Sequence, residues 1–331
     1  MNQLFVTFFP YFCVLALSAI ALIFSERAGI INIGINGIMV MGATFYMIFA
    51  NVLTKAMNPA DKFDAINAGF QVLLFALAIA GGMLTCWLFG FAVIKLRANQ
   101  IISGVALNIL APAITIVVLI LFGEAERLPF NVAELAAGNA ANYDPANVLS
   151  LKTILTLFVI SSAVVLLKST RWGLRFKAVG ENPQAADVAG INVNRVKWSA
   201  IWISGALAGL AGGIYIAALS SGNTFRGNTE GLGFLAIAIM IVGQWKVLPA
   251  ILAAAMFSLL FALGYHFKSL FPDQQDTTVA MIKVIPYVLT VVLLIVFSKR
   301  SARFLAMAFG RIAIQSGGPR AAGEPYDKSK R

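Results

Sequence analysis

Long apolar runs separated by short polar segments dominate this chain of 331 residues. The runs lie at 4–24, 30–53, 70–94, 101–122, 151–167, 198–219, 232–242, 247–265 and 281–297. Most are close to, or longer than, the ~20 residues that an α-helix needs to cross the hydrocarbon core of a bilayer. The pattern therefore predicts an all-α, polytopic integral membrane helical bundle with about nine crossings. The run at 232–242 is too short for a full span, which favours a tilted, broken or re-entrant segment.

The last apolar run divides the chain into two predicted parts. Residues 1–298 form a transmembrane domain, and residues 299–331 form a basic tail. Within the tail, residues 301–314 have the character of a basic amphipathic helix that lies on a membrane surface. Residues 317–331 have the composition of a disordered segment. We therefore expect a tail that is partly disordered.

Composition supports the membrane assignment. The chain is 60% hydrophobic and only 12% charged, whereas soluble domains average about 45–50% apolar and about 25% charged residues. These proportions exclude a soluble globular protein.

Basic residues are concentrated in the polar segment at 168–197 and in the tail, which together hold most of the 25 Lys and Arg residues. Because basic loops stay on the cytoplasmic side of a membrane, both segments are predicted to be cytoplasmic. An odd number of crossings then places the N-terminus outside and makes the net negative segment at 124–150 an outer loop. The formal charge of +11 belongs to the cytoplasmic face, so the sequence predicts no nucleic-acid partner.

The centres of the predicted spans contain no Asp, Glu, Lys, Arg or His. An ion-coupled carrier usually places such a residue inside a span. The sequence also lacks paired intramembrane carboxylates, a His-x-x-x-His pair and a Gly-x-x-x-x-Gly-Lys-Ser/Thr phosphate loop. We therefore predict a transport protein rather than an enzyme, with no catalytic residues, no metal site and no cofactor bound by this chain. An ion-coupled secondary carrier and a membrane scaffold without a pathway are the alternatives.

Three helix-boundary residues lie close together in the segment at 168–197. Asn182 is a good N-cap, Pro183 suits the first helical position, and Gly190 suits the left-handed residue after a helix. They predict a helix of about two turns, Pro183 to Ala189, which is marginal by itself in water. It is either an ordinary capped loop helix or a surface that docks a cytoplasmic partner, and the basic residues upstream favour docking.

Two segments resemble permease subunits of bacterial ABC importers for nucleosides and simple sugars, in the superfamily of branched-chain amino acid and ribose-type permeases. Residues 25–43, SERAGIINIGINGIMVMGA, resemble the opening signature of these subunits. Residues 178–193, AVGENPQAADVAGINV, followed by ISGALAGLAGG at 203–213, are similar to their coupling region and the next helix. The resemblance covers residues 15–298.

The resemblance implies that the helix at Pro183 is a coupling helix, which sits on a separate cytoplasmic ATPase that consumes the ATP. The residues implied in ATPase docking are Arg175, Glu181, Asn182, Pro183, Ala185, Ala186, Asp187 and Gly190. The other implied partners are a second permease subunit, identical or homologous, an extracytoplasmic substrate-binding protein that meets the loop at 124–150, and the lipid of the bacterial plasma membrane.

The substrate class follows from one departure within the resemblance. Sugar-type permeases carry Asp-Leu-Ser-x-Gly in the early region, where this chain has Asn-Ile-Gly-Ile-Asn-Gly at 32–37. The difference resembles the nucleoside branch. A nucleoside is therefore the expected substrate, and a simple sugar is the alternative.

Polar and glycine-rich positions mark two interrupted segments inside the apolar runs. Asn32 and Asn36 are four residues apart and share a helix face, and glycines also bound the run at 232–242. Paired interrupted segments indicate a translocation pathway, to which Asn108 is a further candidate. Hydrogen bonding between helices is the alternative role for these asparagines. The glycines Gly205, Gly209 and Gly213 repeat every four residues, as in helices that pack closely.

The charge distribution makes a prediction that surface labelling tests. After the two native cysteines are replaced, a single cysteine at position 184 should react with a membrane-impermeant thiol reagent only from the cytoplasm. One at position 138 should react only from outside, because the basic loops hold the opposite face inside. Reversed labelling would contradict the predicted orientation.

Overall fold

The computed structural model describes residues 2–57, 69–122, 128–129, 150–219, 224–225, 227–270, 284–285, 287–289, 292, 318–324 and 326. Most of the predicted outer loop at 124–150 and of the run at 281–297 lies outside these residues. The predicted surface helix at 301–314 lies entirely outside them.

The described residues fold into ten α-helices and one pair of very short strands. The helices are α1 (Asn2–Arg27), α2 (Ile35–Met57), α3 (Phe70–Gly90, continued by a π-helical turn at Phe91–Lys95), α4 (Gln100–Phe122), α5 (Leu151–Ser169), α6 (Arg171–Glu181), α7 (Pro183–Val188), α8 (Val193–Leu219), α9 (Leu232–Val242) and α10 (Val247–Leu270). The strands β1 (Leu128–Pro129) and β2 (Thr224–Phe225) pair antiparallel. This pair is an addition to the expected all-α fold and joins two connections between helices.

Seven of the helices in the described part of the chain are long and apolar enough to cross a membrane: α1, α2, α3, α4, α5, α8 and α10. The chain is therefore a polytopic helical membrane protein. At ~1.5 Å per residue, the 11 residues of α9 cover only about half of a hydrocarbon core. α9 is thus a separate, short apolar helix, as the length of its run predicts.

The centre of the bundle is built around α8, which packs against α1, α2 and α3. α1, α2 and α8 are mostly buried, and α10 covers another side of α1. α4 and α5 lie at the periphery and expose apolar side chains such as Ile109, Leu121 and Phe158. These exposed faces suit contact with lipid or with another membrane subunit.

Glycines of α8 lie where α3 approaches most closely. A Cβ atom added at Gly205 would lie 2.5 Å from Cβ of Cys86, and one at Gly213 would lie 2.8 Å from Cβ of Ala78. A Cβ atom at Gly209 would overlap the carbonyl oxygen of Ala78. The structure therefore turns all three glycines toward α3, where the two backbones leave no room for a side chain.

The substitution Gly209→Leu should destabilise the protein strongly, because the overlapping atom belongs to the backbone and cannot move alone. Overpacking typically costs about 1–3 kcal/mol, and we expect at least that loss. Thermal unfolding of the purified protein in detergent measures it. Ala106→Leu on α4 is the matched control, since Ala106 is exposed and its stability should not change. Equal stabilities of the two variants would contradict the packing role of Gly209.

Candidate functional site

The segment between α5 and α8 forms two helices, of which α6 packs onto the end of α1 and α7 packs against α6 and α8. α6 begins at its N-cap Thr170, whose Oγ1 accepts a hydrogen bond from the Gly173 N–H at 3.0 Å. Its buried residues, Gly173, Phe176, Val179 and Gly180, recur every three to four positions. Phe176 packs edge to face on Phe24 of α1, with ring centroids 6.0 Å apart. α6 is thus anchored to the transmembrane core through an aromatic contact.

α7 has the boundaries that its sequence predicts, except that it ends one residue earlier. The Asn182 Oδ1 atom accepts a hydrogen bond from the Ala185 N–H at 3.0 Å, and Pro183 occupies the first turn. Gly190 has φ +83°, a left-handed conformation that suits glycine. The short helix is therefore stabilised at both ends by local sequence.

The sides of α7 differ sharply in exposure. Ala186 is only 4% exposed and packs in a small apolar cluster with Val179 of α6 and Val193 of α8, against which Tyr326 also packs. Val188 is 79% exposed. The Ala186 side chain therefore faces inward and holds α7 to its neighbours, whereas the sequence assigned it to a docking surface.

The other predicted docking residues lie at or near the protein surface. Glu181, Asn182, Ala185 and Gly190 are exposed, as are Gln184 and Val188, and Arg175 projects from α6. Pro183 and Asp187 are partly buried. We define the α7 surface as the exposed residues of α7 and the two residues before it: Glu181, Asn182, Gln184, Ala185 and Val188.

Residues 318–324 of the tail form a turn that lies against α6 and the connection between α1 and α2. The Ala321 N–H donates to the carbonyl oxygen of Gly180 at 3.1 Å, and the Gly323 N–H donates to that of Gly29 at 3.4 Å. This turn differs from the disorder that composition predicts for residues 317–331. Glycine at position 180 permits the close approach of α6 to the end of α1, because a Cβ atom there would overlap the carbonyl oxygen of Arg27; it would also lie 3.3 Å from Cβ of Pro319 in the turn.

Side-chain hydrogen bonds join the end of α1 to the turn between α9 and α10. The Arg27 Nε–H donates to the carbonyl oxygen of Trp245 at 2.9 Å, and the Trp245 Nε1–H donates to the Glu26 carboxyl group at 2.6 Å. Glu181 also interacts electrostatically with Arg27. This predicted docking residue therefore has a partner inside the same chain.

Three asparagines surround the two interrupted segments. The Asn108 Oδ1 atom accepts from the Gly37 N–H at 2.7 Å, and its Nδ2 group donates to the carbonyl oxygen of Ile33 at 2.9 Å. Asn108 of α4 thus caps the first turn of α2 and also pairs the Ile33 carbonyl oxygen in the turn before it. Free N–H groups in a helix's first turn otherwise have no partner in a membrane.

Asn36 performs the same role for α9. Its Oδ1 atom accepts hydrogen bonds from the Gly233 N–H at 3.2 Å and from the Thr229 hydroxyl at 3.0 Å. A Cβ atom at Gly233 would lie 2.5 Å from Cα of Asn36, so the two backbones touch at this point. The interrupted starts of α2 and α9 are therefore joined directly.

Asn32 differs from the other two asparagines. Its Nδ2 group donates to the Ser204 hydroxyl of α8 at 3.3 Å, whereas its Oδ1 atom has no hydrogen-bond partner and is fully buried. An unpaired polar atom in a buried site is costly. Asn32 therefore keeps a buried acceptor oxygen without a hydrogen-bond partner.

Residues 4–297 match the protein family described as "Branched-chain amino acid transport system / permease component". The chain belongs to this family. Seven helices in the described part of the chain are long and apolar enough to span a membrane, and the permease is a multi-pass protein of the bacterial plasma membrane.

Among its relatives, the nucleoside ABC transporter permease protein NupC of Lactococcus lactis is 34% identical over 96% of this chain and 94% of its own length. The guanosine ABC transporter permease protein NupQ of Bacillus subtilis is 30% identical over 97% and 95%. A second nucleoside permease of L. lactis, NupB, is 24% identical over 74% and 68%. No solved structure matches the permease.

The sequence-based predictions do not include α6, the contact between Arg27 and Trp245, or the turn at 318–324. α6 could have been found from Thr170 as an N-cap and from the spacing of its buried residues. The contact between Arg27 and Trp245 joins residues 218 positions apart, and the turn at 318–324 approaches α6 from the far end of the chain. No sequence pattern near these residues predicts either contact.

Replacement of Asn36 by alanine should lower the stability of the permease by about 1–2 kcal/mol, because it leaves the Gly233 N–H and the Thr229 hydroxyl unpaired. Thermal unfolding in detergent provides the measurement. Asn194→Ala, at an exposed position of α8, is the control and should behave like the unsubstituted protein. An Asn36→Ala variant as stable as this control would rule out the capping role.

Proposed function

We propose that this permease forms the transmembrane pathway of an ATP-driven ABC importer for nucleosides. The relatives that are similar over nearly the whole chain, NupC and NupQ, are named as nucleoside and guanosine ABC transporter permeases. A structural feature supports the same conclusion. The chain presents a short, capped helix with an exposed face, α7, at the end of the bundle where the basic loop lies.

The α7 surface is the proposed docking site of a separate ATPase. Ala186 ties α7 to α6 through Val179 and to α8 through Val193. Because α8 runs through the centre of the bundle, a displacement of α7 would be transmitted through α8 to the helices packed against it. In this proposal the ATPase binds and hydrolyses ATP, while this chain binds no cofactor or metal and carries out no catalysis.

The interrupted segments before α2 and α9 are the proposed part of the translocation pathway in this chain. Asn36 and Asn108 hold these segments together, so their direct contribution is to shape the pathway. Asn32 retains a free carbonyl oxygen, a group that accepts hydrogen bonds from the hydroxyl and amino groups of a nucleoside. The buried carbonyl oxygen of Asn32 is therefore a candidate for substrate contact.

The proposed topology has about nine crossings, with the N-terminus outside and the C-terminus in the cytoplasm. The remaining partners are an extracytoplasmic binding protein, which meets the outer loop at 124–150, and a second permease. The exposed apolar faces of α4 and α5 offer room for a second subunit as well as lipid. NupB and NupC, two permeases of one organism, favour a homologous rather than an identical partner.

The substitution Val188→Arg tests the coupling role without disturbing the fold, because the Val188 side chain is almost fully exposed. Placing a charge in a docked apolar contact should reduce ATP-driven nucleoside uptake at least about tenfold, since an unpaired buried charge costs several kcal/mol. Uptake of radiolabelled nucleosides is measured in cells that express the complete transporter.

Leu96→Arg is the matched control. Leu96 is also an exposed apolar residue, 65% exposed, but it lies at the end of α3 and outside the α7 surface. Normal uptake by a well-expressed Val188→Arg variant would refute the docking role.

Competition of uptake by simple sugars but not by nucleosides would replace the proposed substrate by the alternative class.

A further inference from the structure

A cavity of about 330 Å³ lies at the end of the bundle where α1 and α5 end and α10 begins. Four basic residues line it: Arg27, Lys168, Lys177 and Lys246. Trp245 and apolar residues of α5 and α10, including Leu167 and Val247, form the remainder. The cavity thus combines a cluster of positive charge with an apolar wall.

The basic residues come from four different elements of the fold. Arg27 ends α1, Lys168 lies in the last turn of α5, Lys177 lies on α6, and Lys246 directly precedes α10. None of the described residues that line the cavity is acidic. Two carboxyl groups lie nearby, and each has a partner: Glu26 accepts from Trp245, and Glu181 interacts with Arg27. The cavity therefore carries an excess of positive charge.

Electrostatic repulsion among the four basic side chains favours the binding of an anion in the cavity. Burial and the neighbouring charge of Arg27 lower the pKa of the Lys177 ammonium group. A bound phosphate would reverse this effect, because an opposite charge favours the protonated lysine. A ligand that places negative charge between Arg27 of α1 and Lys177 of α6 would reduce this repulsion most.

The apolar wall decides which kind of anion fits. Val247 and Leu167 are buried, whereas Leu248 on the outer side of α10 is 55% exposed and continues the apolar surface along that helix. Trp245 lies in the turn between α9 and α10, and tryptophan is enriched at the headgroup region of membranes. A free phosphate or a nucleotide would leave this apolar surface unused, while a phospholipid would cover it with an acyl chain.

We infer that the cavity is a binding site for an anionic phospholipid, whose headgroup phosphate contacts the four basic residues and whose acyl chain lies along α5 and α10. Basic pockets between transmembrane helices are known to hold acidic headgroups. The lipid would link Arg27 at the end of α1 to Lys177 on α6, the helix that carries α7. The site therefore stabilises the connection between the transmembrane bundle and the α7 surface.

The double substitution Lys168→Gln/Lys246→Gln tests this site on the full-length permease. Both lysines are exposed, so the fold should be retained. Lys95→Gln/Arg195→Gln is the control, because it removes two exposed basic residues outside the cavity. Binding of phosphatidylglycerol is measured by native mass spectrometry and by the rise in thermal stability in detergent.

We expect phosphatidylglycerol to bind the control variant as tightly as the unsubstituted permease and the cavity variant about thirtyfold more weakly, since each of the two basic residues near the membrane surface contributes about fivefold. Phosphatidylcholine and inorganic phosphate should not stabilise the permease to the same degree. Equal binding by the two double variants, equal stabilisation by phosphatidylcholine, or equal stabilisation by inorganic phosphate would each overturn the inference.

Discussion

Backbone groups inside a membrane have no water to bind, so a chain that interrupts its helices there must supply other partners. This permease starts α2 and α9 within the apolar part of the bundle and caps both starts with asparagines from neighbouring elements. The Oδ1 atom of Asn108 accepts a hydrogen bond from the Gly37 N–H, and that of Asn36 accepts one from the Gly233 N–H. Both capped N–H groups belong to glycines. In each case a Cβ atom would collide with the helix that supplies the cap, at 2.7 Å from the Leu107 carbonyl oxygen and 2.5 Å from Cα of Asn36.

Close helix packing and polar capping are therefore two parts of one arrangement. An asparagine side chain is short, and it reaches the N–H of another helix only if the two backbones nearly touch. Glycines make that approach possible at α2 and α9, and the glycines of α8 do the same for the bundle centre. The result is a rigid contact between two interrupted segments, placed beside Asn32, the asparagine with an unpaired oxygen.

The basic end of the molecule follows a different principle, in which several distant segments converge. α6 packs on α1 through Phe176, α7 is held by Ala186, and the turn at 318–324 bonds to Gly180 and Gly29. Trp245, in the turn between α9 and α10, forms hydrogen bonds with Glu26 and Arg27. The α7 surface is thus presented by elements from both ends of the chain, and the basic cavity lies next to the same junction.

The apolar runs by themselves determined the membrane class and the approximate extent of the spans, because the bilayer demands a fixed length of apolar helix. Local signals also determined α7, since Asn182, Pro183 and Gly190 act on their own neighbours in the chain. Only the tertiary structure decided that Ala186 faces inward, that Asn36 and Asn108 cap helices remote in sequence, and that part of the tail binds α6. These outcomes depend on contacts between residues more than 70 positions apart, or on which side of a short helix is covered. No local pattern of hydrophobic and polar residues encodes such contacts.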